Sequence, residues 1–309
     1  MIIVTYRKVF YMIAGIAVLA SLVSVAVFGL NFGVDFTGGT LVEVRYEDGR
    51  PASAAIAQTL FTAGIEGASI RESGGDAYLI RAGELTDGER DVLPQLLTQN
   101  GAYTPSIERF TEIGPTIGRE LRNKAFVAIA LVAVAIILYI AFAFRKVFAS
   151  TSRKQRGVSS WAYGVIAVVA LLHDMIIPIG MFSVLGFVFG AQIDTLFVMA
   201  LLAILGYSVN DTIVVFDRVR ENLHDNSERG KSEEFELTVG KSLNQTFVRS
   251  INTSLTTLLV LITLFFMGPV ATQDFALVLI VGVIAGTYSS LALATPLLVT
   301  AQEWRKRGK

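Results

Sequence analysis

Six stretches of this sequence are long and apolar enough to cross a lipid bilayer, at about 9–30, 124–144, 161–189, 194–216, 247–268 and 273–300. A helix rises 1.5 Å per residue, so roughly 20 apolar residues span the hydrocarbon core. Backbone polar groups find no water there, which makes such runs helical. The third run is long enough to require tilt or an interfacial end. The first is too long, and lacks the small-residue cleavage site, to read as a simple signal peptide. Composition agrees: 53% of the 309 residues are hydrophobic and only 17% charged, outside the usual range of soluble domains. With no cysteine and two histidines, a disulfide framework, a thiolate nucleophile and a Cys- or His-rich metal site are excluded. Zero formal net charge argues against a general nucleic-acid binder. No catalytic residue, cofactor or metal is expected.

The first two runs are separated by a polar segment of domain length, 31–122. "TLVEVRYE" (40–47) alternates as a half-buried strand does, and "PASAAIAQTLFTAG" (51–64) suits a helix between Pro51 and Gly64. "ASIRES" and "AYLIRA" read as a hairpin around Gly74, Gly75 and Asp76. A second helical pattern at 86–101 and a last strand in "YTPSIERFTEI" follow. The order β-α-β-β-α-β predicts a ferredoxin-like split βαβ unit. The expected organisation is residues 1–30 as N-terminus and first span, 31–122 as an extracytoplasmic α+β domain, and 123–309 as the remaining five spans with loops and tail. The fold class is a six-helix membrane bundle with one inserted ferredoxin-like domain. Its outer segment carries eight Lys/Arg against fourteen Asp/Glu, which reads as a solvated surface.

Lysine and arginine concentrate on one side. Arg7 and Lys8 precede the first span, Arg145, Lys146, Arg153, Lys154 and Arg156 follow the second, and Arg218, Arg220, Arg229, Lys231 and Lys241 follow the fourth. Arg305, Lys306, Arg307 and Lys309 follow the sixth, while the connections near Gln192 and Gly268–Gln273 carry none. The positive-inside rule therefore expects both termini in the cytoplasm and residues 31–122 outside.

Ionisable residues inside the spans cost roughly 2.5–3.5 kcal/mol each on insertion scales and usually pair or line a pathway. Asp211 in the fourth span lies on the order of 9 Å inside the cytoplasmic end. Arg249 enters the fifth span from the same side, so the two are expected either to pair, with protonation of Asp211 releasing Arg249, or to stay apart with Arg249 snorkelling to the cytoplasmic surface. Ser208, Asn210 and Thr212 are its polar neighbours in sequence. Gln245, Arg249, Asn252, Thr253 and Thr256 form a polar stripe, suited to holding water and relaying protons or to gluing helices together. His173 and Asp174, roughly 18 Å into the third span, are either a second proton site or helix contacts. Being adjacent, they point about 100° apart and are not expected to pair with each other. "NFGVDFTGGT" (31–40), with Asp35, Phe36, Gly38 and Gly39, reads as a tight turn into the first strand. It lacks the Lys-Ser/Thr ending of a phosphate-binding loop.

"GVDFTGG", "IGPTIGRELRNKA", "LLHDMIIPIGMFSVLG", "GYSVNDTIVVFDRVREN" and "NQTFVRSINTSLTTLLVLITLF" together resemble the SecF members of the SecD/SecF family, within the resistance-nodulation-division superfamily. The resemblance spans all six helices; the outer domain matches in length and layout more than in motif. It implies a multi-pass inner-membrane subunit that pairs with SecD, whose own carboxylate completes the site. It implies further that the pair acts with the SecYEG channel, using proton flow to help pull an unfolded preprotein outward after SecA-driven insertion. YajC and YidC are further candidate partners. By the same resemblance Asp211 and Arg249 are the proton-transport positions. The alternatives are a proton-coupled exporter of small molecules or lipids, an intramembrane aspartyl protease using Asp174 and Asp211, and a passive assembly factor. The exporter class normally has twelve spans, and the protease signatures "GxGD" and "YD" are missing.

Overall fold

The computed structural model describes residues 2–47, 49–143, 158, 160–230 and 233–307. The basic loop residues Arg145, Lys146, Arg153, Lys154 and Arg156, together with Lys231 and Lys309, lie outside the described residues. The chain opens with α1 (Ile2–Thr5) and α2 (Arg7–Phe28). A short α3 (Val34–Thr37) leads into β1 (Gly39–Tyr46), α4 (Ser53–Thr62), β2 (Ser69–Ser73) and β3 (Ala77–Ala82). Then come α5 (Asp87–Leu97), β4 (Pro105–Ile113), α6 (Pro115–Ala143), α7 (Ser160–Phe189) and α8 (Thr195–Glu228). The chain finishes with α9 (Phe235–Met267), α10 (Gln273–Tyr288), a π-helical turn (Ser289–Ala294) and α11 (Thr295–Arg307). Six helical stretches among the described residues are long and apolar enough to cross a membrane. The chain divides into two compact units.

The smaller unit comprises Leu30–Val127 together with Gly186–Leu196. Its four strands form an antiparallel sheet in the order β2-β3-β1-β4, the arrangement that the expected β-α-β-β-α-β order produces. Alternation along β1 buries Val42, Val44 and Tyr46 against Ile56 and Leu60 of α4 and Leu93 and Leu97 of α5. Tyr46 and Tyr78 place their hydroxyls in this core by donating to the carbonyls of Leu97 (3.1 Å) and Pro51 (2.7 Å), which satisfies polar tips that would otherwise be costly. Burial pushes the Tyr46 phenol up to about 12. Thr86 and Glu89 start α5 with a reciprocal capping box, satisfying two donors of its first turn. Those bonds from Thr86 hold the Glu89 carboxyl below its ordinary value.

The larger unit comprises Met1–Gly29, Ala128–Leu185 and Phe197–Lys309. Half or more of the most apolar window of α7, α8 and the α10–α11 stretch is buried, against less than a fifth for α2, α6 and α9. Close approach of these helices depends on small residues, because lipid tails are as apolar as leucine and only tight packing distinguishes a neighbour. Gly282 and Gly286 of α10, four residues apart, face Ile204 and Ser208 of α8, and a Cβ on Gly286 would stand 3.1 Å from that of Ser208. Gly180 of α7 packs against the backbone of Ser21 in α2. Beside it, Ser24 donates to Gly180 O (2.9 Å) and Ser183 to Ser24 O (2.9 Å). Helices α8 and α9 are longer than the apolar runs that predict them. Their ends join through Asn222, which donates to Ser242 (2.7 Å) and Gln245 (2.8 Å), while Arg218 donates to Gln245 (2.7 Å).

Candidate functional site in the membrane helices

Two buried carboxylates lie among the described residues of the larger unit. Asp174 of α7 is the better satisfied. Its Oδ1 accepts from His173 Nδ1 (2.8 Å), and its Oδ2 accepts from Ser289 Oγ (2.7 Å) and from Ser208 Oγ of α8. All four side chains are buried. The expectation that His173 and Asp174 do not pair is therefore wrong. Their Cβ atoms diverge, but rotation about χ1 and χ2 brings the imidazole edge back to the carboxylate, and burial removes the competing water. The His173 ring also stacks on Tyr288, 6.0 Å between centroids at 22°. Nε2 of the same ring is buried and has no hydrogen-bond partner.

Why Ser289 reaches Asp174 is a matter of local backbone. Pro296 has no N–H for the carbonyl four residues before it, and its ring crowds that carbonyl. The preceding segment widens into the π-turn Ser289–Ala294, and Thr295 Oγ1 donates to the Ser290 carbonyl (2.7 Å). Single π-turns inside α-helices recur at functional sites. Here the turn presents Ser289 to Asp174 and Ser290 to Thr212 of α8, 2.9 Å between hydroxyls. Sequence reasoning missed both serines; the signal was the pair "SS" seven and six residues before Pro296 inside an apolar run. Pro178 acts similarly in α7, depriving the Asp174 carbonyl of its usual donor.

Asp211 is also buried, one turn further along α8 from Ser208. Its Oδ2 has no hydrogen-bond partner. The Ser254 hydroxyl and the Arg249 charge both act on its carboxyl group, and Arg249 makes no direct bond to it. The expected Asp211–Arg249 ion pair is thus not formed. Rotation of α9 explains it: Ser250 and Ser254 point inward, whereas Arg249, Asn252 and Thr256 are exposed on the surface of this chain, with Thr253 between. The hydroxyls of Thr253 and Thr256 turn back to carbonyls of their own helix at 2.9–3.0 Å. Ser254 shares a hydrogen bond with Thr287 of α10 (2.6 Å), a second pair that the sequence did not reveal. Asn210 is exposed, while Ser208 and Thr212 are buried. No group of three or more metal-ligating side chains is found among the described residues.

In the smaller unit, Asp35 and Phe36 lie in α3, and Gly38 and Gly39 have φ of 84° and 131°. The turn is thus a left-handed passage into β1 that glycine adopts without strain.

A bundle of six apolar helices with buried carboxylates among its polar hydroxyls and a single α+β insertion defines a multi-pass membrane protein with ionisable groups inside its spans. The profile "Protein export membrane protein SecD/SecF, C-terminal" matches residues 93–153 and 159–304, and "SecD/SecF GG Motif" matches 23–49. "Protein translocase subunit SecF" of Thermobaculum terrenum is 38% identical over 312 residues, covering 96% of this chain and 93% of its own. Its namesake from Anaerolinea thermophila is 37% identical over 98% of this chain and 96% of its own. The crystal structure of SecDF, a translocon-associated membrane protein from Thermus thermophilus, superimposes with a TM-score of 0.79 at 31% identity. This chain is covered to 98% in that match but spans only 38% of the SecDF chain. The chain belongs to the SecD/SecF family of protein-export membrane proteins.

Proposed function

We propose that this chain works as the SecF half of a proton-driven accessory complex of the Sec translocase, with SecD as its partner, promoting preprotein export through SecYEG. The observation that carries the proton-driven part is Asp211: a buried carboxylate whose Oδ2 has no partner, in a helix otherwise built to lie in lipid. A structural role is served as well by asparagine at lower insertion cost, so a carboxylate points to a group that changes charge. Arg249 stands within electrostatic reach and completes the relay once the proton arrives or leaves. The remaining hydroxyls, Ser208 and Thr212, supply hydrogen bonds between helices. The exposed membrane-depth face of α9, with Arg249, Asn252 and Thr256, is the surface that SecD helices would cover, since uncovered polar side chains are costly in lipid. The basic residues Arg7, Lys8, Arg218, Arg220 and Arg305 support cytoplasmic termini in the bacterial inner membrane. YajC and YidC are proposed as further neighbours.

An intramembrane protease needs two carboxylates sharing one proton. Here Asp174 is occupied by His173, Ser208 and Ser289, and no bond joins it to Asp211, which disfavours that reading. The test is export of a preprotein into vesicles carrying SecD with this chain. Asp211→Asn is expected to remove the part of export that depends on the proton gradient, and Arg249→Met to do the same. Gradient-dependent export that survives Asp211→Asn refutes the relay.

A further inference from the structure

The nine residues "NFGVDFTGG" (31–39) run from just beyond the first span into the first residue of β1, and as a turn they need only their glycines. The structure gives them more to do. The Ile193 amide donates to Asn31 O (2.7 Å) and the Gly33 amide donates to Ile193 O (2.8 Å), a short parallel pairing centred on Phe32 and Ile193. Asn31 Nδ2 adds a bond to Ala191 O (3.2 Å). A side chain at Gly33 would crowd this pairing, since a Cβ there would lie 3.2 Å from Ile193 O. Two residues further on, Asp35 Oδ2 accepts from the amide of Thr195 (2.9 Å).

That last bond is a cap supplied from a distance. Thr195 is the first residue of α8, and the first four amides of a helix have no partner within it. A carboxylate also suits the positive end of the helix dipole. At its other end the motif lies flush on the start of α6: a Cβ on Gly38 would stand 2.7 Å from Pro115 Cα, and one on Gly118 would stand 2.8 Å from Gly38 N. The next residue, Gly39, begins β1. One short segment therefore holds together the beginnings of α6, α8 and β1, all within the smaller unit.

Helix α8 is also the helix of Asp211, sixteen residues after Thr195 and about 24 Å along its axis. We infer that Asp35 is a positioning residue that ties the first turn of α8 to the root of β1, so that axial movement of the helix carrying Asp211 is delivered to the sheet of the outer domain. This rests on the proton-relay reading above. A helix end without this tie slides or frays while β1 stays where it is. With the tie, the first turn of α8 and residues 31–39 move together. The carboxylate does its work as an acceptor, so an amide oxygen in the same place suffices.

The test uses the chain with SecD in vesicles, comparing Asp35→Ala, Asp35→Asn and Asp211→Asn. Three quantities are read: gradient-dependent preprotein export, proton uptake under an imposed gradient, and amide exchange of residues 191–196. Asp35→Ala is expected to speed exchange in 191–196 about fivefold, the equivalent of one lost cap. It is also expected to lose the gradient-dependent gain in export while proton uptake stays within about twofold of wild type, the spread of a surface change of a few tenths of a kcal/mol. Asp35→Asn is expected to restore export. A misfolded variant loses uptake and export together, whereas uncoupling separates them. Normal export in Asp35→Ala, with export lost in Asp211→Asn, overturns this inference and leaves the relay standing. Normal export in Asp211→Asn strikes the relay itself. Unchanged exchange in 191–196 overturns the tie whatever Asp211→Asn does.

Discussion

Removing the carboxylate of Asp174 gives the most quantitative test of the membrane site. Three donors end on it: His173 Nδ1 at 2.8 Å, Ser289 Oγ at 2.7 Å and Ser208 Oγ. The residue itself is 1% exposed. If these were ordinary interhelical hydrogen bonds, each would contribute about 0.6 kcal/mol and Asp174→Ala would cost about 2 kcal/mol in all. Deleting this buried acceptor orphans donors at about 1–3 kcal/mol apiece. Ser289 recovers part of its loss, because its hydroxyl already lies 3.1 Å from Gly286 O. Ser208 and His173 have no such alternative in their observed bonding. The expected cost of Asp174→Ala is therefore about 3–5 kcal/mol. Asp174→Asn keeps the shape and one acceptor oxygen, and is expected to cost about 1–3 kcal/mol because its NH2 group then faces a donor. The assay is reversible unfolding of the full chain in detergent micelles, followed by far-ultraviolet circular dichroism and tryptophan fluorescence. A loss of 2 kcal/mol or less for Asp174→Ala refutes the reasoning, because the network then carries no more than ordinary helix glue.

Gly180→Ala is expected to cost about 1–3 kcal/mol of bundle stability by overpacking, because the added methyl would meet the backbone of Ser21 in α2. Gly282→Ala, which meets only the side chain of Ile204, is expected to cost less; equal losses in the same unfolding assay contradict the backbone argument. Burial of Glu43 in β1 raises its carboxyl above the ordinary range, with the Glu108 charge adding to the effect. The folded state then binds this proton more tightly than the unfolded one. Its contribution is fully present below the unfolded value and is lost as pH rises through the folded one. Exchange-derived stability of β1 should therefore fall as pH rises above the ordinary glutamate range, and Glu43→Gln should flatten that slope.

The spans and the α+β insertion were legible because they rest on one-dimensional patterns. A bilayer demands a run of apolar residues wherever it is crossed, and a half-buried strand demands alternation, so "TLVEVRYE" and the run ending in "LLVLITLFFM" announce themselves. The two carboxylates were legible too, since a charge in an apolar run is visible without any fold. Their partners were not. Asp211 was expected to meet Arg249, but α9 is rotated so that Ser250 and Ser254 face inward and Arg249 faces out. His173 and Asp174 were expected to look apart, and they pair. Ser289 and Ser290 were passed over until the π-turn before Pro296 aimed them at Asp174 and Thr212. The motif at Asp35 looked like a turn until its carboxylate proved to cap a helix 160 residues away in sequence.

What the sequence determined by itself is therefore which segments enter the membrane and which polar residues they carry in. Which of those residues meet was decided only by tertiary structure. Meeting depends on the rotation of each helix about its own axis, and hydropathy says little about rotation when most faces are apolar. That rotation is set by the small residues that let helices touch, such as Gly282 and Gly286 against Ile204 and Ser208, and by one π-turn that shifts the register beyond it.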